Sequence, residues 1–361
     1  MATLDVKDIR FEKVAQTKEK TPEDKLGFGA VYTDHMLLID WDDQEGWHDP
    51  RIVPYGPFSL DPATAVFHYG QAIFEGMKAY NENGKILLFR PDCNFERLNI
   101  SADRLSLPDL DPEFALASLK KLLEIEKSWV PSSAGTSLYI RPFMFSTEKT
   151  LAVHTAKTVT YGVILSPSGA YFSSDLAPTK IYVEEEYVRA VRGGMGYAKT
   201  AGNYAGSYKG QDKAAALGYA QTLWLDGVER KYIEEVGAMN IFFKINGTYV
   251  TPALNGSILP GITRRSVIQL LEEAGETVEE RHVSIEELLG GIEDGSVEEI
   301  FGTGTAAVVT PVGELAYRDK KYVVNDFKTG PGARNIYDRL TAIQLGKEEG
   351  PQGWSVEVCK V

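Results

Sequence analysis

Cysteine is nearly absent from the 361 residues: Cys93 and Cys359 stand far apart, with no CxxC spacing. That excludes a disulfide framework and a cysteine-rich zinc site, and it fits a reducing compartment. Histidine is scarce too. His35, His48, His68, His154 and His282 lack HExxH or similar ligand spacing, so no metal site is predicted. No apolar run is long enough to cross a bilayer, and the opening MATLDVKDIRFEKV has no basic start followed by an apolar stretch. No membrane partner is expected, and the cytoplasm is the expected location. Positive charge is in deficit, 38 Lys and Arg against 51 Asp and Glu, for a net charge of -13. Phosphate-backbone affinity is built on clustered cations, so nucleic acid is not an expected partner.

What is present describes a globular chain, with 43% hydrophobic and 25% charged residues. The length predicts two domains. Residues up to about Lys25 carry the KEKTPEDK charge run and read as a solvated arm. GAVYTDHMLLIDW, RIVPYGPFSL and KILLFR are short apolar or alternating runs bounded by Gly, Pro, Asn or Asp, and they read as strands. AsnGluAsnGly at 81–84 is a hairpin turn. PDCNFERLNISADRLSLP and DPEFALASLKKLLEIEKSWVP read as helices, the first with Pro91 just inside its start. SLYIRPFMF and TVTYGVILSP read as interior strands, and residues 169–175 as a crossing between domains. The second half alternates strands and helices, which favours a layered α/β or α+β domain.

The chemistry centres on GGMGYAKTAGNYAG, residues 193–206, in which Lys199 is flanked almost entirely by small residues and Tyr. Small neighbours let the backbone approach a ligand, and a lysine beside a flat cofactor is suited to forming an imine. The competing readings are an exposed amine in a glycine-rich loop and a degenerate P-loop, with Thr222–Asp226 imitating a Walker B strand. Ala198 stands where the P-loop needs its second glycine, and AGNYAG argues against an immediate regular helix.

Three other stretches carry groups that a phosphate-bearing aldehyde cofactor needs. LPGITRR places Gly261 and Thr263 at a helix start, whose amides bind phosphate, although a merely capped helix reads the same way. FGTGTAA, residues 301–307, offers amides and hydroxyls in what is otherwise a hairpin turn. YIEEVGAMN sets Glu234 beside Glu235, and one is expected solvated and the other buried, with a cationic partner such as a pyridinium nitrogen.

Together FHYGQAIFEGMKAY, LFRPDCNFERL, AGTSLYIRP, SGAYF, AKTAGNY, EEVGAMNIFF, LPGITRRS and FGTGTAAVVTPV occur in the order found in branched-chain amino-acid aminotransferases of fold-type IV, a pyridoxal-phosphate family that the chain resembles from about Gly27 to its end. The resemblance implies a mixed α/β, two-domain fold with the cofactor between the domains. A smaller N-terminal domain would cover 1–172, a linker 173–180 and a larger cofactor-binding domain 181–361. It implies pyridoxal 5′-phosphate held by Lys199, with Glu235 at the pyridine nitrogen and Tyr204 on the ring oxygen. Arg97, the amides of Ile262 and Thr263, and Thr305 would hold the phosphate. The substrate pocket would use Phe28, Tyr69, Phe74, Tyr139, Arg141, Tyr171 and Ala238, with the α-carboxylate on the Thr305 and Ala306 amides. Arg141 with Tyr69 would meet the distal carboxylate of glutamate. The implied partners are small amino acids and 2-oxo acids, and a second copy of the chain in a homodimer. The CxxC pair of animal members falls on Ala307 and Thr310, so a thiol switch is excluded there.

Overall fold

A computed structural model describes residues 4–169 and 176–361. Tyr171 and residues 173–175 of the expected linker lie outside the described residues. The chain divides into two compact units: Met1–Tyr171, Ala198–Ala201 and Ile343–Val361 form one, and Phe172–Tyr197 with Gly202–Ala342 the other. This differs from the single cut expected near 173–180, for two reasons of pairing. The backbone at Lys199 and Thr200 pairs with a strand of the first unit, and a C-terminal strand, Ser355–Lys360, pairs antiparallel with Lys85–Phe89.

The strands of the first unit are β1 (Arg10–Phe11), β2 (His35–Asp42), β3 (Gly46–Pro54), β4 (Ala72–Phe74), β5 (Met77–Glu82), β6 (Lys85–Phe89), β7 (Ser137–Ser146) and β8 (Thr158–Ser168). With the C-terminal strand they form one sheet in the order β1, β3, β2, β8, β7, β5, β6, C-terminal strand, β4 pairing β7 as well. Asn83 and Gly84 both take positive φ, as a two-residue hairpin turn requires. The helices are α1 (Ala65–Tyr69), α2 (Pro91–Arg104) and α3 (Pro112–Glu126). Strand alternation sorts β7 cleanly. Leu138, Ile140 and Met144 enter the core with Phe95, Leu98, Leu119 and Leu122 of the helices, which sends Tyr139, Arg141 and Phe143 to the opposite face.

The arm before Lys25 is largely exposed, as expected, and is also tied down at several points. Lys18 Nζ donates to Thr33 O at 2.7 Å, and its backbone N–H donates to Asp34 at 2.8 Å. Val14 N–H donates to His35 Nε2, whose Nδ1 meets the buried Glu126. The charge pattern alone could not reveal partners so far along the chain.

The second unit holds β9 (Thr179–Glu184), β10 (Gln221–Leu225), β11 (Ile233–Val236), β12 (Asn240–Ile245), β13 (Thr248–Thr251), β14 (Val278–Glu280), β15 (Val297–Gly304), β16 (Val308–Tyr317) and β17 (Lys320–Val323). The sheet order is β11, β10, β9, β16, β15, β12, β13, β14, with β17 on β16. Its core gathers Ile181, Leu223, Ile241, Phe243, Leu288 and Leu315. The later helices are α4 (Ala201–Ala216), α5 (Ile262–Glu273), α6 (Ile285–Asp294) and α7 (Pro331–Gln344). α4 begins two residues after Lys199, against the expectation of irregular chain through AGNYAG. Further along the helix, Gly210 is required because a Cβ there would lie 2.6 Å from the Trp224 ring.

No described helix is long and apolar enough to cross a membrane.

Candidate active site

In the first unit the site is built from a buried polar stripe on α2. Asn94, Arg97 and Ser101 recur at helical spacing and are buried, beside the apolar stripe of Phe95, Leu98 and Ala102. Each of the three polar groups has a task. Arg97 makes a fork with Glu75, Nε to Oε1 and Nη2 to Oε2, both at 2.8 Å. Asn94 Nδ2 donates to the same carboxylate at 2.8 Å. Ser101 Oγ accepts the Lys199 backbone N–H at 2.9 Å.

Lys199 is therefore gripped by its backbone. Its carbonyl accepts from Phe74 N–H at 3.1 Å, and Thr200 N–H closes a tight turn onto Ala198 O at 3.1 Å. Thr200 pairs with Ile73. The ammonium stands over the Phe74 ring, 4.8 Å from its centroid. Glu75 is 0% exposed. Burial pushes its carboxyl up, but the Arg97 guanidinium, the hydrogen bonds of the fork, the Lys199 charge and Asn94 together outweigh that. The group is held below the ordinary carboxylate range.

Period-two geometry assembles an aromatic and cationic wall on the outer sheet face. Lys78 lies opposite Tyr139, and Phe74 opposite Phe143, so directly paired residues share that face. Arg141 stacks its guanidinium 4.6 Å from the Phe74 centroid and 5.2 Å from that of Tyr139, and donates to the Tyr139 hydroxyl at 3.0 Å. Phe28 meets Tyr139 edge-on at 4.9 Å. A Cβ at Gly76 would overlap the Tyr139 hydroxyl, which explains the glycine. Tyr69 is not brought to Arg141: it is 46% exposed on α1, and its hydroxyl donates to Leu151 O.

In the second unit, both Glu234 and Glu235 are buried, at 2% and 3% exposure, which corrects the expectation that one is solvated. Each has donors waiting. Glu235 Oε1 accepts from Leu259 N–H at 2.8 Å and lies 3.2 Å from Arg189 Nη2. Arg189 also donates to the carbonyls of Gly196 and Ser257. Ser257 Oγ and Asn255 Nδ2 serve Glu234.

Gly261 precedes α5 with no side chain capping the helix, so its first turn is formed by the buried Ile262 and Thr263. A Cβ at Gly261 would overlap Asn240 Oδ1, so this backbone approach is open to glycine alone. The uncapped N-terminus of α5 offers backbone N–H groups of the kind that suit the phosphate of pyridoxal 5′-phosphate; taken by themselves, a carboxylate such as Glu235 suits a pyridinium and a lysine such as Lys199 an aldehyde. Between β15 and β16, Thr305, Ala306 and Ala307 form a hairpin loop closed by Val309 N–H on Ala307 O at 2.8 Å. Val308 takes φ 63, a strained conformation for a β-branched residue. Tyr204 lies on the first turns of α4, and Ala238 is exposed in the turn after β11.

The P-loop reading does not survive this geometry, although α4 does follow Lys199 directly. Bends and turns, not a buried strand, precede the lysine. The carboxylate of Asp226, the would-be metal ligand, instead accepts the N–H groups of Val228, Glu229, Lys231 and Tyr232.

Inference from the sequence missed Glu75, Asn94, Ser101 and Arg189. A helical-period polar stripe inside a helix that also carries an apolar stripe was the signal for Asn94 and Ser101. Nothing local marked Glu75 or Arg189.

Comparison with known proteins bears on the same residues. A probable branched-chain-amino-acid aminotransferase of Staphylococcus epidermidis is 57% identical over 353 residues, 98% of this chain and 99% of the relative. Branched-chain-amino-acid transaminase 1 of Bacillus subtilis is 54% identical over 352 residues, 97% of this chain and 99% of that protein. A solved T.th. branched-chain amino acid aminotransferase with pyridoxamine 5′-phosphate superposes with a TM-score of 0.75 at 26% identity. That match covers 89% of this chain and 98% of the other. Residues 72–315 match the model of the family described as amino-transferase class IV, a stretch that opens at β4 and takes in Glu75, Arg97, Lys199 and Glu235, and the chain belongs to that family.

Proposed function

We propose that the chain is a pyridoxal 5′-phosphate-dependent branched-chain amino-acid aminotransferase. It exchanges the amino group reversibly between leucine, isoleucine or valine and 2-oxoglutarate, in two half-reactions of ping-pong form. The observation that carries this reading is the Lys199 ammonium, fixed by its backbone over Phe74 beside the buried Arg97–Glu75 fork.

When bound, the cofactor supplies an electron sink for the bonds at the substrate Cα. The residues do the rest. Lys199 Nζ holds the cofactor between turnovers, then takes the proton from Cα and returns it at the cofactor's C4′. Glu235 holds a proton on the pyridine nitrogen, and Arg189 and the Leu259 N–H fix the position of its Oε1. Tyr204 donates to the ring oxygen. The amides of Ile262 and Thr263, with Arg97 and Thr305, hold the phosphate. The Thr305 and Ala306 amides take the substrate α-carboxylate. Phe28, Phe74 and Tyr139 offer aromatic surface to a branched side chain, and Tyr171 and Ala238 are the further residues assigned to that pocket. Arg141, half-buried against two rings, meets the distal carboxylate of glutamate, and Tyr69 takes no part in that contact within one chain.

The enzyme works as a cytoplasmic homodimer. Phe67, Tyr69, Leu151 and Val153 are exposed apolar residues, with the Tyr69 hydroxyl bonded to Leu151 O, and this patch supports a second copy as its cover.

The test is spectroscopic and covalent. The purified protein is yellow, borohydride fixes the cofactor mass on the peptide containing Lys199, and Lys199→Ala abolishes both the trapping and turnover. An adduct on another residue defeats the assignment. A panel of amino donors with 2-oxoglutarate tests substrate class, and preference for a donor without a branched aliphatic side chain defeats that part.

A further inference from the structure

Glu234 and Glu235 are successive residues of β11, so their side chains leave opposite faces of the strand, and both are buried. Two buried carboxylates in a row are costly unless each is bonded. Both grip the same short segment. From one face, Glu234 Oε1 accepts from Ser257 Oγ and from Asn255 Nδ2 at 3.1 Å. From the other, Glu235 Oε1 accepts from Leu259 N–H at 2.8 Å. The segment is also closed on itself, since Asn255 Oδ1 accepts Ser257 N–H at 2.9 Å.

Ser257 is the joint. It is 0% exposed, and its carbonyl accepts from the Arg189 nitrogen that also lies 3.2 Å from Glu235. Gly196, in the loop leading to Lys199, packs so close to that carbonyl that a Cβ would overlap it. Two residues beyond, Asn240 Nδ2 donates to Leu259 O at 2.9 Å, and Gly261 then precedes α5. The anchor on Ser257 thus reaches Glu235 by two routes, through Arg189 and through the backbone to Leu259.

We propose that Glu234 is a positioning residue for the transamination site: its hydrogen bonds lock Ser257 and Asn255, and so set the Arg189 and Leu259 donors that orient Glu235. The proposal rests on Glu235 being the partner of the pyridine nitrogen. Gln at the position keeps one acceptor for the serine hydroxyl, and Ala keeps none.

The experiment compares Glu234→Ala, Glu234→Gln, Ser257→Ala and Glu235→Ala holoenzymes. The readouts are the pH midpoint of the bound cofactor's visible absorption and its retention on dialysis. Loss of an outer partner of a buried ligand commonly costs 10- to 100-fold, so Glu234→Ala is expected to weaken retention about tenfold and to move the midpoint by about one pH unit. Ser257→Ala reproduces the direction of both changes, and Glu234→Gln restores most of each. If Glu235→Ala moves the midpoint while Glu234→Ala and Ser257→Ala leave it and retention unchanged, the proposal is overturned and the reading of Glu235 stands. An unmoved midpoint in Glu235→Ala removes that reading, and the proposal with it. Should Glu234→Ala not fold, Ser257→Ala decides the same question.

Discussion

Each unit buries one arginine–glutamate pair near the proposed chemistry, and the two are built oppositely. In the first, Arg97 places two nitrogens on both oxygens of Glu75, a fork that also takes Asn94. In the second, Arg189 and the Leu259 amide converge on a single oxygen of Glu235. The first geometry sets the plane of a guanidinium and the second sets the position of a carboxylate. The acid thus serves the base in one unit, aiming Arg97, whereas in the other the base serves the acid. The same two residue types therefore say nothing about which member of a pair is the working group until the geometry is known.

The sharpest way to break the comparison is Arg97→Met. It strands a carboxylate of 0% exposure, and stability is expected to fall by about 3–5 kcal/mol in chemical denaturation. The double variant Glu75→Gln/Arg97→Met recovers most of that loss, and a purely additive cycle would contradict the fork's role. The pH dependence has a definite sign. Because Glu75 is held below its ordinary range, the fork's stabilisation is present above the unfolded carboxylate pKa and is lost as pH falls through the folded value.

Lys78 tests how dry the first unit's outer sheet face is. Burial pushes its ammonium down to about 8. An unfolded lysine keeps its proton to roughly 10.4, so between about 8 and 10.4 the unfolded chain binds more protons and stability rises with pH. Below 8 the whole cost remains. Lys78→Met is expected to raise stability at pH 7 in chemical denaturation and to flatten that rise. A pH-stability curve unchanged by the substitution would show a solvated face.

Arg189→Met sharpens the other side. Its expected cost is smaller, about 2 kcal/mol, because Glu235 keeps the Leu259 N–H, while the pH profile of turnover shifts measurably. Equal stability losses for Arg97→Met and Arg189→Met would erase the distinction between the two pairs. The smallest effect belongs to the loop between β15 and β16. Val308→Gly relieves a φ of 63 but gives up a side chain only 7% exposed, so the two effects offset and the net change in chemical denaturation is expected to be within about 1 kcal/mol, whereas Val308→Ala, which keeps the strain, is destabilising.

Particular elements show why some of this was legible in the chain and some not. The start of α5 at Gly261–Ile262 and the turn at Asn83–Gly84 follow from local rules of capping and positive φ. The start of α4 does not, because Gly202 and Gly206 lower helix propensity locally, while the helix they open continues to Gly210, where Trp224 packs too close for any Cβ. The final strand was invisible for a similar reason: its pattern acquires meaning only beside β6.

By itself the sequence determined the reactive groups: a lysine among small residues, an adjacent acid pair, a helix start at Gly261 and a threonine-rich turn. Those are properties of side-chain chemistry and near neighbours. Only the tertiary structure decided that Arg97 faces Glu75, 22 residues away, and that Glu234 holds Ser257, 23 residues away. A buried charge takes its character from whatever donor the fold brings within hydrogen-bond reach, and that choice is made by strand pairing and helix packing rather than by proximity along the chain.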